Sequence, residues 1–188
     1  MWFTSWRRVW LFALVAALLF ILTAGRFESY ERARAVWSPQ GHLYYVAPTG
    51  DDSNEGTMAH PWQTIQKAAN TLIAGDTVYI RAGTYHERVT PQNSGSAGNM
   101  ITYAAYPGET ATIDGSGVTL PDDLAGLFDI SNMSYIRVSG LRIINAGPYN
   151  NNAGILVINS GYITVENNST YNTASSGIGA WGSQPSCS

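Results

Sequence analysis

The feature that most constrains this chain is an internal repeat of strand-sized units in its carboxyl-terminal part. Residues 126–147 align with residues 154–175. The positions that match at an offset of 27 residues are Tyr135 with Tyr162, Ile136 with Ile163, Val138 with Val165, and Asn145 with Asn172. Two further matches have other offsets: Gly126 with Gly154 at 28, and Gly154 with Gly177, which begins a third copy, at 23. Periods in the twenties without a helix in each unit are typical of a β-solenoid.

A solenoid of this kind predicts which side chains face the core. Successive turns stack at the spacing of neighbouring strands, about 4.8 Å, and side chains alternate between the two faces. The residues predicted to point inward are Ile136, Val138, Ile163 and Val165, and those predicted to point outward are Tyr135, Arg137, Tyr162 and Thr164. Asn145 and Asn172 share one phase of the repeat, which predicts an asparagine ladder at a corner. The alternative for these two residues is ordinary turn propensity.

The overall composition excludes several classes of protein. Charged residues make up only 12% of the 188 residues, while glycine occurs 19 times, which does not fit a helical Ala/Glu/Lys/Leu-rich protein. The single lysine, Lys67, and the net charge of −3 argue against a nucleic-acid partner, which would require a basic stripe. The single cysteine, Cys187, excludes an intrachain disulfide and a cysteine-built zinc site.

The amino-terminal part differs from the rest. Residues 9–25 are apolar and uncharged, and Arg7 and Arg8 precede them. We expect residues 1–25 to be a membrane-spanning signal anchor, with a cleaved signal peptide as the alternative and a buried core helix as a weaker one. Residues 26–39 read as a linker and residues 40–188 as the main domain. The main domain is then placed outside the cytoplasmic membrane, either anchored through residues 9–25 or secreted.

One helix is predicted in the main domain. Ile65, Ala68, Ala69 and Leu72 form a single apolar stripe, with Pro61 suited to the start of the helix and Gly75 to its end. Such a helix covers the open first turn of a coil, which would otherwise expose a strand edge. The segments predicted as strands around it are 43–47, 77–81, 100–106 and 111–114.

A family resemblance is carried by a series of short segments near the start of the main domain. They are residues 44–57 (YYVAPTGDDSNEGT), Pro61-Trp62, residues 64–68 (TIQKA), residues 74–80 (AGDTVYI) and Gly83-Thr84-Tyr85. This series resembles the amino-terminal block of right-handed parallel β-helix proteins of the pectate-lyase-like superfamily. The similarity is closest to family 9 polysaccharide lyases and their uncharacterised exported relatives, and it covers about residues 43–183. It implies an all-β, right-handed parallel β-helix with a short capping helix, preceded here by one hydrophobic helix.

The resemblance also implies a chemistry, β-elimination on an acidic polysaccharide such as pectate. That reaction requires a cation to neutralise the uronate carboxylate and a base to take the C5 proton. In family 9 lyases the resemblance implies a calcium site built from several aspartates on later turns, with a lysine as the base. This chain has no aspartate cluster after Asp129 and no lysine after Lys67. We therefore expect these 188 residues alone to be inactive, with calcium serving only a longer lyase.

The segment Asp52-Ser53-Asn54-Glu55-Gly56 has oxygen ligands at alternate positions, as a calcium loop begins, and Asp51, Asp52 and Asn54 are the residues that would bind the ion. The twelfth position counted from Asp52 is Gln63 rather than a bidentate glutamate, which departs from that motif. A capping turn is the favoured interpretation, and no residue of the chain is assigned as a metal ligand.

Five residues are candidates for binding carbohydrate. Arg137 and Arg142 lie on one predicted turn and can meet a sugar carboxylate; the alternative is solvated charge on an outer strand face. The aromatic side chains of Tyr149, Tyr171 and Trp181 can stack on sugar rings or merely shield a turn. No catalytic residue is assigned.

Two functions remain open at this stage. The chain is the amino-terminal, fold-building part of an exported carbohydrate-active β-helix protein, or it is a non-catalytic β-helix module for carbohydrate binding or surface display. We expect the coil to continue beyond Ser188, because a solenoid needs a cap at both ends.

Overall fold

The chain winds into a coil of short parallel strands, and the computed structural model describes residues 41–121 and 124–182. The strands are β1 (Leu43–Val46), β2 (Thr77–Ile80), β3 (Gly83–Tyr85), β4 (Ile101–Ala105), β5 (Ala111–Asp114), β6 (Ala125–Ser131), β7 (Ile136–Ser139), β8 (Arg142–Ile144), β9 (Asn152–Ile158), β10 (Thr164–Glu166), β11 (Ser169–Tyr171) and β12 (Ile178–Trp181). The one helix among the described residues, α1, spans Ile65–Thr71. The predicted strands and helix are all present, with ends that differ by a few residues at most.

The strands form three parallel sheets, one on each side of the coil. Sheet A contains β1, β2, β4, β7 and β10, sheet B contains β3, β5, β8 and β11, and sheet C contains β6, β9 and β12. Each full turn contributes one strand to each sheet, so β2 to β12 make about four turns. This arrangement confirms the predicted solenoid.

The register confirms most of the sequence repeat and corrects one match. Val165 pairs with Val138 at the predicted offset of 27, and Ile178 pairs with Ile155 at 23. Gly126, however, pairs with Ala153 rather than with Gly154. The offset of 28 was therefore wrong by one residue, because parallel strands keep a single register along β6 and β9.

The core is filled by the inward columns of the three sheets. Ile136 and Val138 are fully buried, while Ile163 and Val165 are half-buried and pack against the same cluster. Tyr103 of sheet A meets Phe128 of sheet C edge to face across the coil, with ring centroids 5.3 Å apart. The predicted inward alternation is thus confirmed.

Helix α1 packs against the first turn through the predicted stripe, since Ile65, Ala68, Ala69 and Leu72 are all buried. The helix begins after Thr64, whose hydroxyl accepts a hydrogen bond from the Lys67 N–H, rather than near Pro61. Glu87, which follows β3, accepts the N–H groups of Ile65 and Gln66 at 2.9 and 2.8 Å. The capping role of the helix agrees with the prediction.

The predicted signal anchor and linker, residues 1–25 and 26–39, lie outside the described residues. Among the described residues, no helix has the length and apolar character that a bilayer crossing requires.

Candidate functional site

The five candidate residues do not converge on one point. Arg137 lies on β7 of sheet A, and Trp181 lies on β12 of sheet C. Arg142 and Tyr171 lie on β8 and β11 of sheet B, and Tyr149 lies between β8 and β9. The two arginines therefore share a turn, as predicted, but present their side chains on different sides of the coil.

Arg137 is engaged with an acidic neighbour in the next turn. Its Nε donates to Oε1 of Glu166 at 2.9 Å, and its Nη2 forms an ion pair with the same oxygen. The Ser139 hydroxyl donates to that oxygen at 3.4 Å. Because this carboxylate neutralises the guanidinium, Arg137 is a weak candidate for binding a sugar acid.

Trp181 lies on the outer face of sheet C, 43% exposed. Its indole covers Gly179, where an added Cβ would overlap the ring, so only glycine fits at that position. Trp181 therefore covers its own strand on a different side from Arg142 and Tyr171.

Arg142 and Tyr171 share the outer face of sheet B. Arg142 pairs in register with Ser169, which places Tyr171 two residues further along the neighbouring strand. Such diagonal neighbours lie about 7–8 Å apart, within reach of one bound molecule. Arg142 is exposed and Tyr171 is 72% exposed. In the part of the chain that the structure describes, Arg142 makes no ion pair.

A ladder of polar side chains runs along the end of the same sheet. Asn172 Nδ2 donates to Asn145 Oδ1 at 2.6 Å, and Asn145 Nδ2 donates to Asp114 Oδ1 at 2.8 Å and to the Ser116 hydroxyl at 3.0 Å. Both asparagines adopt positive φ angles, 57° and 52°, which turn the chain at this corner. The predicted asparagine ladder is confirmed, and Asp114 extends it by one turn.

Two adjoining grooves, of about 520 and 230 Å³, open beside the ladder. Asn145, Gly147 and Pro148 line both of them, Asn172 lines the smaller and Tyr149, 41% exposed, lines the larger. We call the surface formed by Arg142, Tyr171, the ladder and these grooves the sheet B site. It brings together three of the five candidates.

The base of the ladder is an ionised carboxylate. Partial burial alone would raise the pKa of Asp114, but hydrogen bonds from Asn145 and Ser116 outweigh burial and hold this pKa below its ordinary value. Asp114 is therefore negative at neutral pH. The sequence offered no signal for Asp114, because it falls outside the 27-residue repeat and is separated from Asn145 by 31 residues.

The acidic turn at residues 51–54 is hydrogen-bonded to residues 61–64, which lead into helix α1. Asp52 Oδ1 accepts the N–H groups of Gln63 and Thr64, both at 2.9 Å, and its Oδ2 accepts the Thr64 hydroxyl at 2.7 Å. Asn54 Nδ2 donates to the Pro61 carbonyl at 3.0 Å. This geometry supports the capping-turn interpretation. Among residues 41–121 and 124–182, no group of three or more His, Cys, Asp or Glu side chains is arranged to hold a metal ion.

Comparison with known families decides the relationship. The family described as "Pel9A-like, right handed beta helix region" matches residues 44–186. The chain belongs to this family. Membership fixes the hand of the coil as right-handed and confirms the resemblance drawn from residues 44–85.

Two relatives share sequence with this chain at a moderate level. The uncharacterized protein YwoF of Bacillus subtilis is 36% identical over 136 residues, covering 72% of this chain and 29% of that protein. The pectate lyase PEL9 of Emericella nidulans is 37% identical over 116 residues, covering 56% of this chain and 28% of the lyase. The chain therefore spans less than a third of the length of either relative.

Solved structures show the same coil. A rhamnogalacturonan lyase matches with a TM-score of 0.62 and 25% identity, over 72% of this chain and 37% of that chain. The GH136 lacto-N-biosidase of Eubacterium ramulus matches with a TM-score of 0.64 and 19% identity, over 86% of this chain and 32% of that chain. The second likeness is one of fold alone.

Proposed function

We propose that this chain is the amino-terminal, fold-building part of an exported β-helix protein that acts on an acidic polysaccharide, and that the sheet B site contacts that polymer. The observation that carries the assignment of the site is Arg142, an exposed guanidinium without an ion-pair partner among the described residues. Family membership supports the carbohydrate-related role.

The chemistry of the site suits a uronate polymer. A guanidinium binds a carboxylate through two parallel hydrogen bonds, which gives direction as well as charge. The exposed rings of Tyr171 and Tyr149 offer flat apolar faces on which a sugar ring can stack. Their hydroxyl tips can hydrogen-bond to the hydroxyls of the sugar. Asn172 lines the smaller groove, and its Oδ1, which accepts no hydrogen bond from the described residues, can accept one from a sugar hydroxyl.

β-Elimination is proposed for a longer protein rather than for these residues. The relative named as a pectate lyase supports this chemistry. The reaction needs a base and a carboxylate-neutralising cation. Lys67, the sole lysine of the chain, lies on the capping helix and so on the closed first turn, away from the sheet B site. The other turns would have to supply the base and the calcium ligands.

Export is a further part of the proposal. The apolar, uncharged residues 9–25 after Arg7 and Arg8 would place the β-helix outside the cytoplasmic membrane, where polysaccharides occur. A fusion of residues 1–39 to a reporter that is active only outside the cytoplasm tests this directly. A reporter that remained inactive would contradict export.

Binding is tested by electrophoresis of the full chain through native gels that contain polygalacturonate. We expect retardation by the polymer, and about fivefold weaker binding by Arg142→Ala, the effect of losing roughly 1 kcal/mol at an exposed charge. The matched control is Arg137→Ala, because Arg137 is already neutralised by Glu166. Equal retardation of all three proteins would contradict the assignment of the site.

Activity is tested separately with polygalacturonate and calcium, following the unsaturated product by its ultraviolet absorbance. We expect no turnover by the 188-residue chain and turnover by a longer protein that adds further turns carrying the base and the calcium ligands. Binding without turnover by such a longer protein would favour the non-catalytic module.

A further inference from the structure

A cluster of three tyrosines lies on the outer face of sheet A, on a different side from the sheet B site. Tyr45 of β1 and Tyr79 of β2 are register partners, and Tyr106 directly follows β4. The ring centroids of Tyr79 and Tyr106 lie 5.6 Å apart, and that of Tyr45 lies 6.1 and 6.3 Å from them. All three rings are half-exposed, so together they form a small aromatic surface built from three successive turns.

The cluster is held in place by a neighbouring ion pair. The Arg81 guanidinium lies 4.6 Å from the centroid of the Tyr106 ring. Its Nε and Nη2 donate to Glu109 at 2.9 and 2.7 Å, and the Ala82 N–H donates to the other carboxylate oxygen at 2.6 Å. Glu109 holds the Arg81 guanidinium in place, and the guanidinium in turn packs on the Tyr106 ring. Because Tyr106 is restrained in this way, the surface is preorganised for a ligand.

The residues around the cluster leave it open. The next outward positions in register with Tyr79 are Ala104 and Ser139, which are small. Two residues earlier on the same strands, Thr77 and Thr102 form a second outward-facing column, which adds hydroxyl groups beside the rings. Within the described residues, the phenolic hydroxyls of the three tyrosines make no hydrogen bond. The surface therefore offers half-exposed apolar rings bordered by hydroxyl groups that are free to bind a ligand.

This face carries no unbalanced charge. Its two cations, Arg81 and Arg137, are each paired with a carboxylate, Glu109 and Glu166. A uronate polymer finds no free guanidinium here, unlike at Arg142. The surface is built around three half-exposed rings, far fewer than the roughly 20–30 residues that each partner contributes to a stable protein interface. Stacking of one or two uncharged sugar rings is the interaction that this size and chemistry fit.

We propose that the Tyr45–Tyr79–Tyr106 cluster is a second carbohydrate-binding surface, which binds neutral pyranoside chains by ring stacking. A protein that holds an acidic polymer on sheet B and a neutral chain on sheet A would recognise a mixed polysaccharide or remain attached to a neutral matrix. This proposal rests on different residues from the sheet B site and stands if that assignment fails.

The test uses native gels that contain a neutral polysaccharide, with galactan, xylan and glucomannan as separate probes. The full chain is kept in a polyoxyethylene detergent, which carries no sugar headgroup that would compete. We expect at least one neutral polymer to retard the wild-type protein, and Tyr79→Ala to bind it about tenfold more weakly, because Tyr79 contacts both other rings. Tyr79→Phe keeps the ring and should retain most of the binding.

Two controls separate this surface from others. Tyr162→Ala removes a tyrosine that is 73% exposed at a different corner. Arg142→Ala should weaken only the binding of polygalacturonate. Both variants should bind the neutral polymer as the wild-type protein does. Absence of retardation by all three neutral polymers, or equal binding by Tyr79→Ala, would overturn the proposal. Circular dichroism of Tyr79→Ala excludes unfolding as the cause of lost binding.

Discussion

At the scale of single residues, Tyr103 shows how the coil tolerates a polar atom in its core. The side chain is fully buried, and its ring packs edge to face on Phe128. Its hydroxyl makes no hydrogen bond with the described residues. Burial raises the pKa of this phenol far above its ordinary value, so the group stays neutral. An unsatisfied buried hydroxyl costs free energy that the ring does not.

Replacing this residue should stabilise the protein. We expect Tyr103→Phe to raise the free energy of unfolding by about 1 kcal/mol, because the ring contact remains while the unsatisfied hydroxyl is removed. Urea unfolding of the full chain, followed by tryptophan fluorescence, measures the change. Tyr79→Phe, which removes a half-exposed hydroxyl, is the matched control and should alter stability by less than about 0.5 kcal/mol. A destabilised Tyr103→Phe protein would show that the hydroxyl is satisfied in solution.

At the scale of elements, the corner after sheet B depends on a side-chain ladder rather than on backbone pairing alone. Asn145 is its central member, since it donates to Asp114 and Ser116 and accepts from Asn172. Its φ of 57° is a conformation that asparagine tolerates better than alanine. Asn172 takes part in one of these hydrogen bonds.

The two asparagines should therefore differ in their contribution to stability. We expect Asn145→Ala to lower the free energy of unfolding by about 2–3 kcal/mol and Asn172→Ala by about 1–2 kcal/mol, from hydrogen bonds lost and alanine strain at positive φ. Asn145→Gly loses the same amide without the strain and should recover about 1 kcal/mol of the deficit. Equal losses for Asn145→Ala and Asn172→Ala in urea unfolding would contradict the ladder as the source of stability.

The capping helix depends on an acidic residue that is distant in sequence. Glu87 accepts the N–H groups of Ile65 and Gln66, which no helical carbonyl can satisfy. We expect Glu87→Ala to destabilise the protein by about 1–2 kcal/mol, as other losses of helix caps do. Glu55→Ala is the matched control, because the Glu55 side chain is 79% exposed, and it should change stability by less than about 0.5 kcal/mol. Thermal unfolding monitored by circular dichroism distinguishes the two variants.

At the scale of the whole molecule, few charges are used, and three of the five cations in residues 40–188 are paired with a carboxylate. Residues 40–188 contain five Lys and Arg against eleven Asp and Glu, a net charge of −6, whereas residues 1–39 carry +3. Arg81, Arg88 and Arg137 each meet a carboxylate from another turn. Solubility and cohesion between turns therefore depend on the protonation of a small number of acids.

This charge distribution predicts loss of stability in acid. Hydrogen bonds from Arg81 and the Ala82 N–H hold the pKa of Glu109 below its ordinary value, and the ladder does the same for Asp114. Because the unfolded chain binds protons at higher pH than these folded acids, stability is present above about pH 4 and falls as pH decreases through the folded pKa values. The midpoint of urea unfolding, measured between pH 2 and pH 7, should follow this course. Asp114→Asn should make the decrease of stability at low pH shallower. An unchanged decrease would contradict the role assigned to the Asp114 carboxylate.

Glu87 should act with the opposite sign. Burial raises its pKa, and the hydrogen bonds from Ile65 and Gln66 only partly offset that effect. The folded state then binds the proton at higher pH than the unfolded chain, so this residue's contribution decreases as pH rises from its ordinary pKa through the raised one. This opposing effect of Glu87 is one reason why we expect the decrease of stability with falling pH to begin gradually.

Most of the fold could be predicted from the sequence, because alternation and a repeat report directly on burial. The stripe of Ile65, Ala68, Ala69 and Leu72 gave the helix, and the shared phase of Asn145 and Asn172 gave the ladder. The repeat was visible only in the last turns. Partners in sheet A are 34 residues apart between β1 and β2, 25 between β2 and β4, and 35 between β4 and β7, so variable loops hide the earlier turns.

The sequence by itself determined that this chain coils into stacked parallel strands, because the pattern of apolar residues requires one buried face and the asparagines require a corner. Only the tertiary structure decided which outward side chains meet. Alternation says that Arg137 and Arg142 both point outward, but not that Glu166 neutralises the first and leaves the second open. Tyr45, Tyr79 and Tyr106 likewise become neighbours only because register between turns sets which residues stack, and register depends on loop lengths that no local pattern encodes.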